Sequence, residues 1–180
     1  MSETTLKNNT RRSTFSIAHT AVLIVTIGLG CFVSFGWIFS IDTLIRIVPT
    51  WSGMNPLTAT LFIVYGATML LARRELRTAT IIGSFVIAVF TGTRIAAIYN
   101  LLPWSPDLLL FQYKIFAATA PSRMSLLTAG SFLLLSTSLL CTLNARMRRY
   151  KIPQALTGTS VIFATIALLG YMFKGTVILS

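Results

Sequence analysis

The chain has 180 residues, of which 54% are hydrophobic and only 11% are charged. Soluble domains carry about 25% charged residues, so this composition excludes a soluble globular protein with a water-exposed surface. The net charge of +11 would suit nucleic acid, but Lys and Arg stand in short clusters between apolar runs, which indicates a membrane and no nucleic-acid partner.

Five apolar runs follow one another along the chain, and each is near the length of about 20 residues that crosses a bilayer as an α-helix. This pattern predicts an all-α integral membrane protein of about five transmembrane helices, with residues 15–175 as a single domain. Residues 1–14 are expected to form a cytoplasmic tail, and 176–180 an outer tail or the start of a truncated sixth helix. The predicted helices are 15–39, 55–72, 78–102, 125–143 and 154–173.

The first apolar run follows Lys7, Arg11 and Arg12, as the hydrophobic core of a secretory signal peptide does. It extends over 15–39, which is too long for such a core, and it has no obvious cleavage site of small residues at its end. The run is therefore interpreted as a retained first helix.

Basic residues are concentrated before the first helix, between the second and third, and between the fourth and fifth. The positive-inside rule places these three segments in the cytoplasm of a bacterial inner membrane, with the C-terminus outside. The ten residues are Lys7, Arg11, Arg12, Arg73, Arg74, Arg77, Arg146, Arg148, Arg149 and Lys151.

Aromatic residues lie near the opposite helix ends, where amphipathic rings anchor a protein at the lipid headgroups. An aromatic ligand cage is the alternative interpretation. The apolar segment 105–116 is too short to span a bilayer, which predicts an outer-surface or re-entrant helix. The aromatic residues are Trp37, Trp51, Tyr99, Trp104 and Tyr113.

A short motif occurs twice, at 54–62 and at 124–132, with a shift of 70 residues and matching Met, Leu, Thr, Ala and Phe. Each copy continues into an apolar helix, an Arg-rich turn and a second apolar helix, which predicts one leading helix plus two repeated helical hairpins. Asn55 and Ser125 are expected to cap a helix start, and this structural role is favoured over a ligand site. The motif residues of interest are Met54, Asn55, Thr58, Met124, Ser125 and Thr128.

Arg94 lies inside the third apolar run, about 16 residues and so roughly 24 Å beyond its start. A charge within the membrane indicates a functional site by default. Asp107 and Asp42 are its expected outer-side partners, and such a cluster would bind a small anionic or quinone-like ligand. Snorkelling of the Arg94 side chain to the headgroups, with a structural ion pair, is the interpretation that is favoured over such a ligand site.

Small side chains recur every four residues along the third run, which predicts a helix-contact face. Serine and threonine in the last two runs are expected to form hydrogen bonds between helices. The stripe consists of Thr80, Ser84, Ala88, Gly92 and Ala96.

The sequence has one histidine and four acidic residues, which are too few and too scattered for a metal site or a catalytic set. We therefore predict no enzymatic activity and no cofactor. His19 is expected to be an interfacial hydrogen-bonding residue, and haem held between two copies of His19 in a homodimer is a remote alternative.

Three segments carry a family resemblance. They are 107–110 (Asp-Leu-Leu-Leu), Pro121 with 123–135, and the helix-ending 170–173 (Gly-Tyr-Met-Phe). Together they resemble the N-terminal multi-helix membrane input (MASE-like) region of bacterial sensor histidine kinases and GGDEF-type diguanylate cyclases. The resemblance covers about 40–175 and implies a further helix that returns the chain to the cytoplasm.

The leading functional hypothesis is a non-enzymatic sensory or input module of a bacterial signalling protein, whose helix packing changes with an outer-side or lipid-borne signal. The second is a small stand-alone membrane subunit that packs against partner membrane proteins through small-residue faces. A transporter fragment ranks third, because only the break at 103–106 suggests one. The expected partners are the lipid bilayer and either a second copy of the chain or another membrane protein.

Overall fold

The computed structural model describes four stretches of the chain, within which every regular element is a helix. The backbone is described for 3–46, 53–106, 109–117 and 123–172, and side chains for 17–46, 53–106, 109–114 and 123–170.

Eight helices occupy these stretches, and five of them are long and apolar. Four contain a stretch long and apolar enough to cross a membrane, and α6 is a shorter apolar helix. The prediction of an all-α membrane protein with about five spanning helices is confirmed. The helices are α1 (Glu3–Phe39), α2 (Asp42–Ile45), α3 (Pro56–Arg73), α4 (Arg77–Ile98), α5 (Gln112–Ala117), α6 (Leu126–Thr142), α7 (Ala145–Arg149) and α8 (Ile152–Met172).

The helix bounds differ from the predicted ones mainly at α1 and α4. The α1 helix begins at Glu3, not at 15, because helical hydrogen bonding continues into polar residues beyond the apolar run. The α4 helix ends at Ile98, not at 102, because Asn100 has a positive φ of 56° and turns the chain.

The long helices pack side by side in chain order, α1 on α3, α3 on α4, α4 on α6 and α6 on α8. Neighbours are antiparallel. The Arg73 side chain near the end of α3 donates to Thr20 near the start of the apolar part of α1, and Arg94 near the end of α4 donates to Met124 just before α6. The bundle therefore has two distinct ends. We call the end where α3 and α6 begin the motif end, and the end that holds the α3–α4 turn and α7 the basic end.

The apolar core lies between the three central helices. Leu57 and Leu61 of α3, Ile87 of α4 and Phe132 of α6 are buried together, and the Phe62 and Phe132 rings meet edge to face at 5.1 Å. The core thus joins the two hairpins, since α3 and α4 form the first and α6 belongs to the second.

Some of the serine and threonine hydroxyls in the last two apolar runs connect α6 to α8, as predicted, whereas others, such as that of Thr137, donate within their own helix. Ser138 Oγ donates to the Pro153 carbonyl at 2.9 Å, and Ser160 Oγ donates to the Ser131 carbonyl at 3.2 Å. Within apolar surroundings such bonds fix the relative position of two helices. The second hairpin is therefore held by polar as well as apolar contacts.

The turn between α3 and α4 is closed by a left-handed residue that is not glycine. Glu75 has a φ of 59°, and the amides of Glu75 and Leu76 donate to the carbonyls of Ala72 and Leu71. We expect Glu75→Gly to raise the free energy of unfolding by about 1 kcal/mol, because glycine adopts this conformation without steric cost. Unfolding in detergent measures this. Glu75→Ala is the control: it removes the same carboxylate but keeps Cβ, and a similar gain from it would show that charge, not backbone conformation, is responsible.

Candidate functional site

The two copies of the motif begin their helices in the same way. Asn55 Oδ1 accepts a hydrogen bond from the Leu57 amide at 2.8 Å, and Ser125 Oγ accepts one from the Thr128 amide at 3.2 Å. Both residues are therefore N-caps, the local role expected from the sequence. The repeat thus extends to the N-cap position, although the capped amide lies two residues after the cap in the first copy and three in the second.

The carbonyl just before each cap is bound by the long helix that precedes it in the chain. Trp37 Nε1, near the end of α1, donates to the Met54 carbonyl at 2.8 Å. Arg94, near the end of α4, donates to the Met124 carbonyl from Nε at 3.0 Å and from Nη2 at 2.8 Å. The same backbone position thus accepts a neutral indole in one copy and a charged guanidinium in the other.

Arg94 joins three segments of the chain at the motif end. Its side chain is only 7% exposed, and Nη1 donates to Ser105 Oγ at 2.8 Å in addition to the two bonds that reach Met124. Charged donors form stronger hydrogen bonds than neutral ones, especially where water is excluded. The guanidinium therefore holds α4, the following loop and the entry to α6 together. It is buried in the protein and does not snorkel.

Of the two carboxylates expected beside Arg94, Asp42 makes a different contact. It begins the short helix α2, where Asp42 Oδ1 lies 3.8 Å from Arg46 Nε, one helical turn further on. This local spacing of four residues explains why Asp42 pairs within its own helix. Asp107 lies outside the described residues.

The loop after α4 also contacts the end of α1. Lys114 Nζ donates to the Trp37 carbonyl at 2.8 Å and to the Ile38 carbonyl at 3.0 Å, and the Phe111 ring stacks on the Trp37 ring at 6.1 Å. A lysine at this place satisfies carbonyls that the end of a helix leaves unpaired and complements the helix dipole. The segment between α4 and α6 therefore contacts α1 through Lys114 of α5 and α4 through Ser105.

The predicted stripe of small residues only partly coincides with the buried face of α4. Thr80 and Ser84 are fully buried, but a Cβ at Gly92 would have no neighbouring atom within 4 Å. A strict four-residue spacing drifts by about 40° per step around a helix of 3.6 residues per turn. The buried face therefore continues through Ile87, Thr91 and Arg94.

Sequence reasoning missed several residues of this site. Trp37 was expected at the headgroups, yet it is only 4% exposed and bonded to Met54, whereas Tyr99, Trp104 and Tyr113 are exposed. Ser105 gave no signal, because a single serine in a loop is unremarkable. Lys114 could have been predicted to cap the end of α1 only if the path of the chain between α4 and α6 had been known. Trp51 lies outside the described residues.

The arrangement is suited to holding segments together and not to bond chemistry. Its donors are an indole, a guanidinium and an ammonium group that bind backbone carbonyls, and the Ser105 hydroxyl accepts from the guanidinium. Across the part of the chain that the structure describes, no group of three or more His, Cys, Asp or Glu side chains is placed to hold a metal ion. The cluster of Trp37, Met54, Arg94, Ser105, Lys114 and Met124 is called the motif-end cluster below.

Comparison with known proteins gave no match: no family model, curated protein or solved structure is similar to the chain. Function is therefore inferred from the contacts within the chain. The motif-end cluster is the feature that needs a functional explanation, because a charged side chain within a membrane helix is costly to bury.

Proposed function

We propose that the chain is a non-enzymatic membrane input module of a bacterial signalling protein, located in the inner membrane. The concentration of ten basic residues in three segments supports an orientation with the basic end in the cytoplasm and the C-terminus outside. The resemblance of 107–110, 123–135 and 170–173 to MASE-like input regions supports the signalling role.

The contact of Arg94 with Ser105 and Met124 is the observation that carries the proposal. The loop at Ser105 and the entry to α6 share one buried guanidinium, so moving either segment must break a charge-assisted hydrogen bond in a nearly water-free place. A contact of this kind is either made or broken, and so has two discrete arrangements. A signal that acts on the outer loop would shift the balance between them.

The long helices connect this contact to the basic end. The α4 helix has 22 residues, a length of about 33 Å, and runs from the α3–α4 turn to the motif-end cluster. The α6 helix begins beside Arg94 and leads to α7 at the opposite end. A shift of α6 against α4 is therefore passed to the side that would carry an output domain or a partner.

Distances between spin labels at the basic end test the proposal. One label replaces Thr78 at the start of α4 and another replaces Met147 in α7, both exposed, in a chain whose two cysteines are replaced by alanine. In lipid nanodiscs we expect one narrow distance for the parent chain and a shift of about 2–5 Å or a second population for Ser105→Ala. Electron–electron double resonance measures both.

The matched control for this experiment is Arg123→Gln, which alters an exposed arginine at the same end of the bundle. It should leave the distance unchanged. An unchanged distance in Ser105→Ala as well would contradict the input module, because the loop contact would then not influence the basic end.

A partner-packing membrane subunit is the second candidate, and the exposed face of α8 favours it. A Cβ at Gly158 would have no atom within 4 Å, and Thr159 and Thr165 are exposed beside it. Small residues on an exposed face of a membrane helix are typical of contact with another helix. For such a subunit the label distance would change when a partner binds and not when Ser105 is altered.

A further inference from the structure

The segment 144–152 at the basic end, which we call the α7 turn, is distinguished by four exposed basic side chains. Asn144 caps α7, and its Oδ1 accepts from the Arg146 amide at 3.0 Å. Every residue of the segment is exposed. The basic residues are Arg146, Arg148, Arg149 and Lys151.

The charges of the α7 turn are not neutralised by any ion pair in the described part of the chain. Within the stretches that the structure describes, these four side chains form no ion pair and no side-chain hydrogen bond. The α3–α4 turn at the same end differs, because Arg73 donates to Thr20 and because Glu75 places a negative charge between its arginines. The α7 turn is therefore the stronger source of positive potential at the basic end.

The position of the α7 turn sets the depth of these charges. It follows directly on the apolar helix α6 and leads into α8, which contains a membrane span beginning at Ile152. Met147, Tyr150 and Ile152 are exposed among the basic residues. Apolar and aromatic side chains mixed with Arg and Lys are typical of a segment lying in the headgroup layer.

We propose that the α7 turn binds the phosphodiester headgroups of anionic lipids. Guanidinium groups match phosphate oxygens in a bidentate geometry, and each basic residue near an anionic bilayer surface adds to the affinity. A lipid is favoured over an acidic protein segment because Met147, Tyr150 and Ile152 are exposed beside the charges, and a lipid offers acyl chains to them as well as phosphate to the charges. The inference rests on α6 and α8 crossing the membrane and not on the proposed input function.

Native mass spectrometry of the full chain in neutral detergent tests this binding. Phosphatidylglycerol and phosphatidylcholine with the same acyl chains are titrated onto the parent chain, onto Arg148→Gln/Arg149→Gln and onto Arg74→Gln/Arg77→Gln. We expect phosphatidylglycerol to bind the parent at least about tenfold more tightly than phosphatidylcholine, and the α7 double variant to lose about tenfold in affinity. The α3–α4 double variant should stay within about twofold of the parent.

Three outcomes would overturn the proposal. Equal affinity for the two lipids would show no preference for an anionic headgroup. Equal losses in both double variants would show a diffuse charge effect of the whole basic end. Displacement of phosphatidylglycerol by inorganic phosphate at the same concentration would mean a site for free anions. Since the altered arginines are exposed and make no hydrogen bond with their side chains, unchanged circular dichroism and melting in neutral detergent are expected for both variants.

Discussion

Arg94→Met should lower the free energy of unfolding by about 2–4 kcal/mol, the largest loss expected from any single polar side chain of this protein. The substitution removes two hydrogen bonds to the Met124 carbonyl and one to Ser105 Oγ, all at 3.0 Å or less. Replacing both partners of a buried polar pair by apolar groups can be nearly neutral. That compensation is not available here, because one acceptor is a backbone carbonyl that stays in place.

Reversible unfolding in mixed detergent micelles measures this loss, with Arg123→Met as the control. Arg123 is exposed at the same end of the bundle, so its loss should change the free energy by less than about 0.5 kcal/mol. Arg94→Lys should lie between the parent and Arg94→Met, since an ammonium keeps the charge but not the planar fork that reaches two acceptors. A loss below about 1 kcal/mol for Arg94→Met would show that the guanidinium is not a structural link.

The helices could be predicted because the membrane leaves few alternatives. Backbone polar groups in hydrocarbon must bond within their own segment, so an apolar run of about 20 residues is expected to be a helix. The run predicted as 55–72 is α3 (Pro56–Arg73), and its start follows from Asn55 as cap and Pro56 in the first turn. Helix ends outside the apolar runs, such as the start of α1 at Glu3, give no comparable signal.

The contact of Arg94 with Met124 could not be predicted, because the acceptor is part of the backbone. A search for partners by charge leads to Asp107, which lies outside the described residues, and to Asp42, which pairs with Arg46. The Met124 carbonyl has no side-chain signature at all. The repeat does not reveal the contact either. Trp37 precedes Met54 by 17 residues and Arg94 precedes Met124 by 30, so aligning the two copies does not pair the two donors. Trp37 and Arg94 are equivalent only because α3 packs on α1 and α6 packs on α4.

Two glycines of α1 also show that contacts between helices could not be predicted from the sequence. Gly28 and Gly30 both lie in the apolar part of α1, and the sequence does not distinguish them. In the structure, Gly30 packs against α3, where a Cβ would lie 2.6 Å from the Ala59 carbonyl oxygen and 2.7 Å from Ile63 Cγ1. A Cβ at Gly28 would have nothing within 4 Å. Which glycine matters is therefore decided by the neighbouring helix.

Gly30→Ala should destabilise the protein by about 2–3 kcal/mol, because a backbone carbonyl cannot move aside as a flexible side chain can. Gly28→Ala should be neutral or stabilising by up to about 1 kcal/mol, since alanine is the better helix former and meets no neighbour. Unfolding in the same detergent system compares the two variants directly. Each adds one methyl group to the same helix, so the difference in helix propensity cancels and the remaining difference measures the α1–α3 contact. Equal effects would mean that the two helices do not approach as closely at Gly30 as the structure shows. A loss confined to Gly30→Ala would confirm that α1 and α3 approach closely at this glycine.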